Sequence, residues 1–146
     1  MSDTRSAETD LSGPAAVKAL RAQGFEEFEV RLVRDEIDEI RAAIIDLSEM
    51  CHAVFTTGGT GFSPRDVTPE ATAPLLDRRA DNLSEHMRMK GLAYTPLSYL
   101  SRGICGMRGR CLIVNLPGSP KGAQQGIIVL GPLLGPILDA QEPPEE

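Results

Sequence analysis

Hydrophobic positions along the chain switch between two spacings, and the switches divide it into elements. Val17 and Leu20, with Ala16 beside them, share one face of a first helix. Ser12-Gly13-Pro14 opens that helix, with Ser12 as cap and Pro14 in the first turn, and Gly24 stops it. Phe28, Val30 and Leu32 then alternate with Glu29 and Arg31, the period of a half-buried strand. Ile37, Ile40, Ile44 and Leu47 return to helical spacing, in a second helix led by Asp35 and Glu36. Ala53 to Thr56 form a short apolar strand, broken by Thr57-Gly58-Gly59-Thr60-Gly61. Thr68-Pro69-Glu70 supplies cap, first-turn proline and first-turn acid for a third helix reaching Arg79.

A fourth helix covers Asn82 to Lys90, with a further turn at Pro96 to Leu100. Gly103 to Met107 and Arg110 to Asn115 read as a hairpin across Arg108-Gly109, and Leu112-Ile113-Val114 is its most core-like run. Leu116-Pro117-Gly118-Ser119-Pro120 ends that strand and begins a last helix. Gly126 to Leu138 is apolar, but it has 13 residues with two prolines inside it. A membrane span needs about 20 apolar residues. The run therefore predicts a buried helix that kinks or splits, since each interior proline costs roughly 3 kcal/mol. Strands alternating with helices predict an α/β sandwich whose mixed sheet is mostly parallel. In such a sheet ligands bind beyond the carboxyl ends of the strands. Val33 to Glu36, Thr57 to Asp66 and Asn115 to Ser119 fall at those ends.

Composition narrows the classes. The chain has 146 residues, 41% hydrophobic and 25% charged, the makeup of one globular domain. Residues 1–140 are expected to form it, followed by a solvated, disordered acidic tail over 141–146. The net charge is -6, and no basic patch dominates, which argues against a nucleic-acid partner. The N-terminus lacks the apolar core of a signal peptide, and neither a membrane span nor a leader is expected. Three cysteines, Cys51, Cys105 and Cys111, include no CxxC pair and fit a reducing cytoplasm. Cys105 and Cys111 are expected to face each other across the hairpin as core thiols, and His52 to serve a structural role on its strand.

Four constellations carry candidate chemistry. Thr57, Gly58, Gly59, Thr60 and Gly61 can cradle an anion with successive N–H groups and two hydroxyls, or simply form a tight turn. No Gly-Lys-Ser/Thr follows, so this is not a Walker A loop. Asp35 and Asp66 each follow a strand end; two carboxylates at a phosphate cleft can hold Mg²⁺. Singly, each also reads as a helix-start acid or as the partner of a neighbouring arginine. Asn115, Pro117, Gly118 and Ser119 precede a helix whose free N–H groups can bind an anion, or whose cap is Ser119. Ser101 and Arg102 offer a hydroxyl and a guanidinium for a phosphate or pterin oxygen, or form a solvated loop.

Thr56 to Thr72, TTGGTGFSPRDVTPEAT, resembles the signature of the MoaB/Mog family, which includes the molybdopterin adenylyltransferases and the G domain of gephyrin. Leu100 to Gly118, LSRGICGMRGRCLIVNLPG, resembles that family's second signature, with weaker similarity at Ser2-Asp3, Asp10 to Pro14, Val33 to Ile40 and Thr95-Pro96. The resemblance implies a three-layer α/β/α molybdopterin-binding fold, usually a homotrimer. It implies a nucleotidyltransferase that adenylylates molybdopterin with ATP and Mg²⁺ in molybdenum cofactor biosynthesis, with a possible molybdate-inserting partner domain. It carries catalytic and metal-binding roles onto Asp35 and Asp66, a substrate contact onto Ser101, and binding loops onto Gly58 to Gly61 and Asn115 to Ser119, with Asp3 in the Ser-Asp motif. Family members usually carry an apolar strand just before that motif, and this sequence begins at Met1-Ser2-Asp3, so the first strand is expected to be missing. The alternative functions are a non-catalytic pterin-binding or trimerising scaffold domain, or an inactive truncated product.

Overall fold

The computed structural model describes residues 11–142. Five helices, α1 (Ser12–Ala22), α2 (Ile37–Met50), α3 (Thr68–Thr72), α4 (Asp81–Gly91) and α5 (Pro120–Asp139), enclose four strands, β1 (Ala53–Thr57), β2 (Arg78–Arg79), β3 (Cys105–Arg108) and β4 (Cys111–Leu116). The sheet order is β1-β4-β3-β2. It is mixed, but the parallel share is smaller than the alternation of elements suggests. β1 and β4 run parallel, whereas β3 pairs antiparallel with both β4 and β2.

β4 explains the layering. All six of its residues are buried, as a strand covered on both faces requires. Leu112, Val114 and Leu116 point into a core built with α1, α4 and α5. Cys111 and Ile113 point the other way, into a core with Ile40 and Ile44 of α2, Val54 and Ala71. Two helical layers thus flank one sheet, the expected α/β/α sandwich. The same alternation separates the hairpin cysteines. Cys105 is in register with Val114 and Arg108 with Cys111, so Cys105 and Cys111 lie on opposite faces instead of facing each other.

Four local expectations are corrected. The stretch around Phe28 to Leu32 forms no strand, and Val30 and Leu32 are exposed. A strand pattern needs a ladder partner, and β1 pairs only with β4 among the described residues. The stretch is held by side chains instead: Phe28 packs on one core and Val33 on the other, Arg21 lies over the Phe28 ring, and Arg31 pairs with Asp46. The third helix ends at Thr72 and gives way to a 3-10 turn, Ala73–Leu75, before Arg78–Arg79 joins the sheet. Pro74 has no N–H for the Glu70 carbonyl, and Arg41 Nη2 donates to that oxygen at 3.1 Å in its place.

α5 is a single helix of 20 residues despite Pro132 and Pro136. The two prolines are four residues apart on its exposed side, as is Ile128. The N–H groups that the prolines lack are thus missing on the solvent side of the helix, while Ile127, Leu130 and Leu134 fill the core side. Gln141 and Glu142, assigned to the disordered tail from composition, close this helix in a hydrogen-bonded turn. Residues 143–146 lie outside the described residues, as does the Met1-Ser2-Asp3 start, where the family's first strand is expected to be missing. No helix among the described residues is long and apolar enough to cross a membrane.

Candidate functional site

The parallel strands β1 and β4 end side by side, and the chain leaves both through loops lining one cleft of about 1070 Å³. After β1 the backbone turns through Gly58 and Gly59 at φ of 90° and 71°, values that side chains other than glycine's rarely accept. A Cβ on Gly59 would come within 2.1 Å of Thr68 Oγ1, and Thr68 N donates to the Gly59 carbonyl at 3.0 Å. The second loop approaches as closely: a Cβ on Gly118 would lie 3.1 Å from Gly58 Cα. Two backbones in contact present a rim of peptide groups with little side chain in the way. Ser119 then caps α5 by accepting from Gly122 N at 3.0 Å, and Pro120 occupies the first turn.

The cleft gathers most of the residues selected from the sequence. Thr57, Gly58, Gly59, Thr60, Gly61, Asp35, Asp66, Ser101, Asn115, Pro117, Gly118 and Ser119 all line it. Asp66 sits in a turn with Ser63, accepting Ser63 N on Oδ2 at 2.9 Å and donating its own N–H to the Ser63 carbonyl at 2.9 Å. Ser101 Oγ accepts from Gly103 N at 3.2 Å, and Arg88 Nη1 donates to the Ser101 and Gly103 carbonyls at 3.3 and 3.1 Å. Ser12 does not cap α1. It lies inside that helix and donates to Thr57 Oγ1 at 3.2 Å, tying α1 to the glycine-rich loop.

Two residues have other duties. Asn115 is 1% exposed, and its amide is fully engaged. Nδ2 donates to Thr56 Oγ1 at 3.0 Å and to Thr72 Oγ1 at 3.2 Å, while Oδ1 accepts from Ile104 N at 3.1 Å. It fastens β1, β4, α3 and the approach to β3 beneath the loops. Arg102 is absent from the cleft lining, and its guanidinium is occupied by the glycine-rich loop and Glu70. Asp3 lies outside the described residues.

Residues not singled out from the sequence also line the cleft, among them Arg88, Tyr94, Lys121 and Gln125. Lys121 had a legible signal. A cation in the first turn opposes the helix dipole, which favours acids there, and this placement suits an anion at the α5 N-terminus. Met87, Tyr94, Leu97, Leu100 and Val129 add apolar lining to the cleft beside the polar loops.

No cysteine lines the cleft, and burial raises the Cys51 thiol above its ordinary value. Burial pushes the Cys105 thiol up to about 11 and Cys111 up to about 12, so neither carries a thiolate at neutral pH. His52 is exposed and lies just before β1, not on it. No cluster of three or more metal-binding side chains occurs among the described residues. Asp35 and Asp66 both line the cleft, and Mg²⁺ takes one or two carboxylates, completing its shell with water and phosphate oxygens.

These features match known proteins over nearly the whole chain. The family described as "Probable molybdopterin binding domain" matches residues 1–136. The molybdopterin adenylyltransferase of Helicobacter pylori is 38% identical over 134 residues, which cover 89% of this chain and 76% of that protein. The molybdenum cofactor synthesis protein cinnamon of Drosophila melanogaster is 41% identical over 132 residues, 87% of this chain but 22% of its own length. The solved Mog protein of Mycobacterium ulcerans superposes with a TM-score of 0.88 at 40% identity, covering 97% of this chain and 95% of that one. With a family match spanning both loops, β4 and most of α5, the chain belongs to the molybdopterin-binding domain family.

Proposed function

We propose that the chain is a molybdopterin adenylyltransferase of molybdenum cofactor biosynthesis, moving AMP from ATP to the terminal phosphate of molybdopterin. The carrying observation is the cleft itself. One cavity receives two touching backbone loops, the N-terminus of a long helix, two aspartates and Ser101. The similarity to proteins named for this activity supports the same reading.

The substrate phosphate oxygen attacks the α-phosphorus of ATP, and pyrophosphate leaves. The nucleophile is already anionic, so the chemistry asks for alignment and charge neutralisation more than for a base. The peptide N–H groups of Gly59, Thr60 and Gly61 and the Lys121 N–H in the first turn of α5 bind phosphate oxygens, with the Lys121 side chain adding positive charge. Ser101 donates to the pterin substrate. Asp35 and Asp66 would hold Mg²⁺, which supplies charge neutralisation on the phosphates. The apolar lining at Met87, Tyr94 and Leu97 accommodates a flat ring.

The protein acts in the cytoplasm as a homotrimer and passes its product to a molybdate-inserting partner domain. Support for self-association comes from Met89, Leu92 and Tyr99, large apolar side chains about half exposed on and just after α4. The deciding experiment supplies purified protein with molybdopterin, ATP and Mg²⁺ and follows pyrophosphate release and adenylyl-molybdopterin by mass. Both products should appear in equal amounts. Molybdopterin binding without either product would instead make the domain a pterin binder.

A further inference from the structure

We infer that Arg102 is a positioning residue, whose guanidinium straps the glycine-rich loop to the segment bearing Ser101 and thereby holds Asp66 and Ser101 in register. This rests on the adenylyltransferase reading of the cleft.

The segment 101–103 runs along the rim of the cleft, and with Arg88 it also lines an adjoining hollow. Ser101 and Gly103 line the cleft that holds Asp35 and Asp66, and Arg102 between them lines only the adjoining hollow. Its side chain crosses to the loop that follows β1. Nε donates to the Gly61 carbonyl at 2.7 Å, Nη2 to the Asp66 carbonyl at 2.8 Å, and Nη1 to Glu70 Oε2 at 2.7 Å. Nη2 also reaches Glu70 Oε1 at 3.3 Å, and the Arg102 main-chain N–H donates to the Thr60 carbonyl at 2.8 Å. The guanidinium carbon lies 5.8 Å from the Phe62 ring centre. A single side chain thus grips the loop at its start, its crest and its return into α3.

The loop needs such a strap. Phe62 is 72% exposed, and Ser63, Pro64 and Arg65 are exposed beside it. A stretch so open has little buried surface to offset its ordering entropy. Asp66 sits at its end. Only a planar fork reaches two carbonyls and a carboxylate together; an ammonium on a flexible stem does not. The guanidinium, which the sequence offers to a phosphate or pterin oxygen or to a solvated loop, is bonded here to Gly61, Asp66 and Glu70.

The test compares the full-length chain with Arg102→Gln, Arg102→Lys and Glu70→Gln, in steady-state adenylyl transfer and in amide hydrogen exchange. Arg102→Gln should lower kcat by about 10- to 100-fold, the cost of a small misplacement of reacting groups. Its KM for molybdopterin should stay within about 3-fold, because no substrate contact is lost. Exchange should accelerate over 60–66 and stay unchanged in β4 and α5. Lysine should restore little, and Glu70→Gln should give a smaller loss with the same exchange pattern. A raised KM with kcat retained would place the guanidinium on the substrate and overturn the inference. Unchanged kcat and exchange, or acceleration throughout the protein in both Arg102→Gln and Glu70→Gln, would overturn it too. If the unaltered protein transfers no adenylyl group, the functional reading fails, while the exchange pattern still decides whether the strap exists.

Discussion

The two candidate acids sit on segments built in opposite ways. Asp66 ends a loop that is exposed yet tied down, with its own turn at Ser63, the Thr68–Gly59 contact behind it and Arg102 across it. Asp35 ends a stretch with the sequence of a strand and no ladder, held by the packing of Phe28 and Val33 and by Arg34, which donates to Glu39 at 2.6 Å. The first segment is tied through its own main-chain carbonyls, at Gly61 and Asp66, whereas the second is held by apolar packing at Phe28 and Val33 and by surface ion pairs of Arg31 and Arg34. The difference teaches that alternation specifies which face a residue would show in a sheet, but only a neighbouring strand supplies the sheet.

The largest expected effect lies on the tied segment. Asp66→Asn keeps the shape and removes a charge from the cleft, so adenylyl transfer should fall by about 10²-fold or more, as for loss of a key electrostatic group. Pterin binding, measured in parallel by fluorescence titration, should survive; full turnover would remove Asp66 from the mechanism. The same exchange at Asp35 sharpens the comparison, since equal losses would show that both segments deliver their acids to one reaction.

Next comes the foundation under the loops. Asn115→Ala deletes three hydrogen bonds and strands the Ile104 N–H, so it should destabilise the fold by about 2–4 kcal/mol. A denaturant melt checks this, and a change below the error of the fit would mean that water replaces the amide. Ser101→Ala should be gentler, weakening pterin binding by about 1 kcal/mol with the melting temperature nearly unchanged. A large stability loss at normal affinity would make that hydroxyl structural.

A pH effect of modest size follows from the strap. The Arg102 guanidinium beside Glu70 holds its carboxyl below the usual carboxylate range. A depressed acid stabilises the folded state above its unfolded pKa, and that contribution is lost as pH falls through the lower folded value. Local protection of 60–66 should therefore decline on acidification below the ordinary glutamate range, and Glu70→Gln should flatten the decline. The smallest effect belongs to the untied segment. Val30→Thr and Leu32→Thr should each shift stability by no more than about 0.5 kcal/mol, as exposed positions do. Losses of core size would show those side chains buried beneath a strand partner.

Much of the fold was legible in the sequence because it depended on local periodicity. The stripe of α2, the β3–β4 hairpin, the Ser119 cap and the loop between β1 and α3 all follow from neighbours within a few residues. The acids, the glycines and Ser101 were legible as candidates because strand ends dictate where loops gather. What the sequence alone left open was which atoms those residues meet. Asn115 and Arg102 each carry groups fit for a ligand, and each spends them on protein partners far along the chain, Thr56 and Glu70 among them. The prolines of α5 predict a kink or a split from their cost alone, yet both fall on the exposed side of one continuous helix. Residue type sets what a side chain is able to bond, and residue spacing sets which way it points. Only the tertiary structure, by bringing distant acceptors within 3 Å or leaving water there instead, decided what each one bonds.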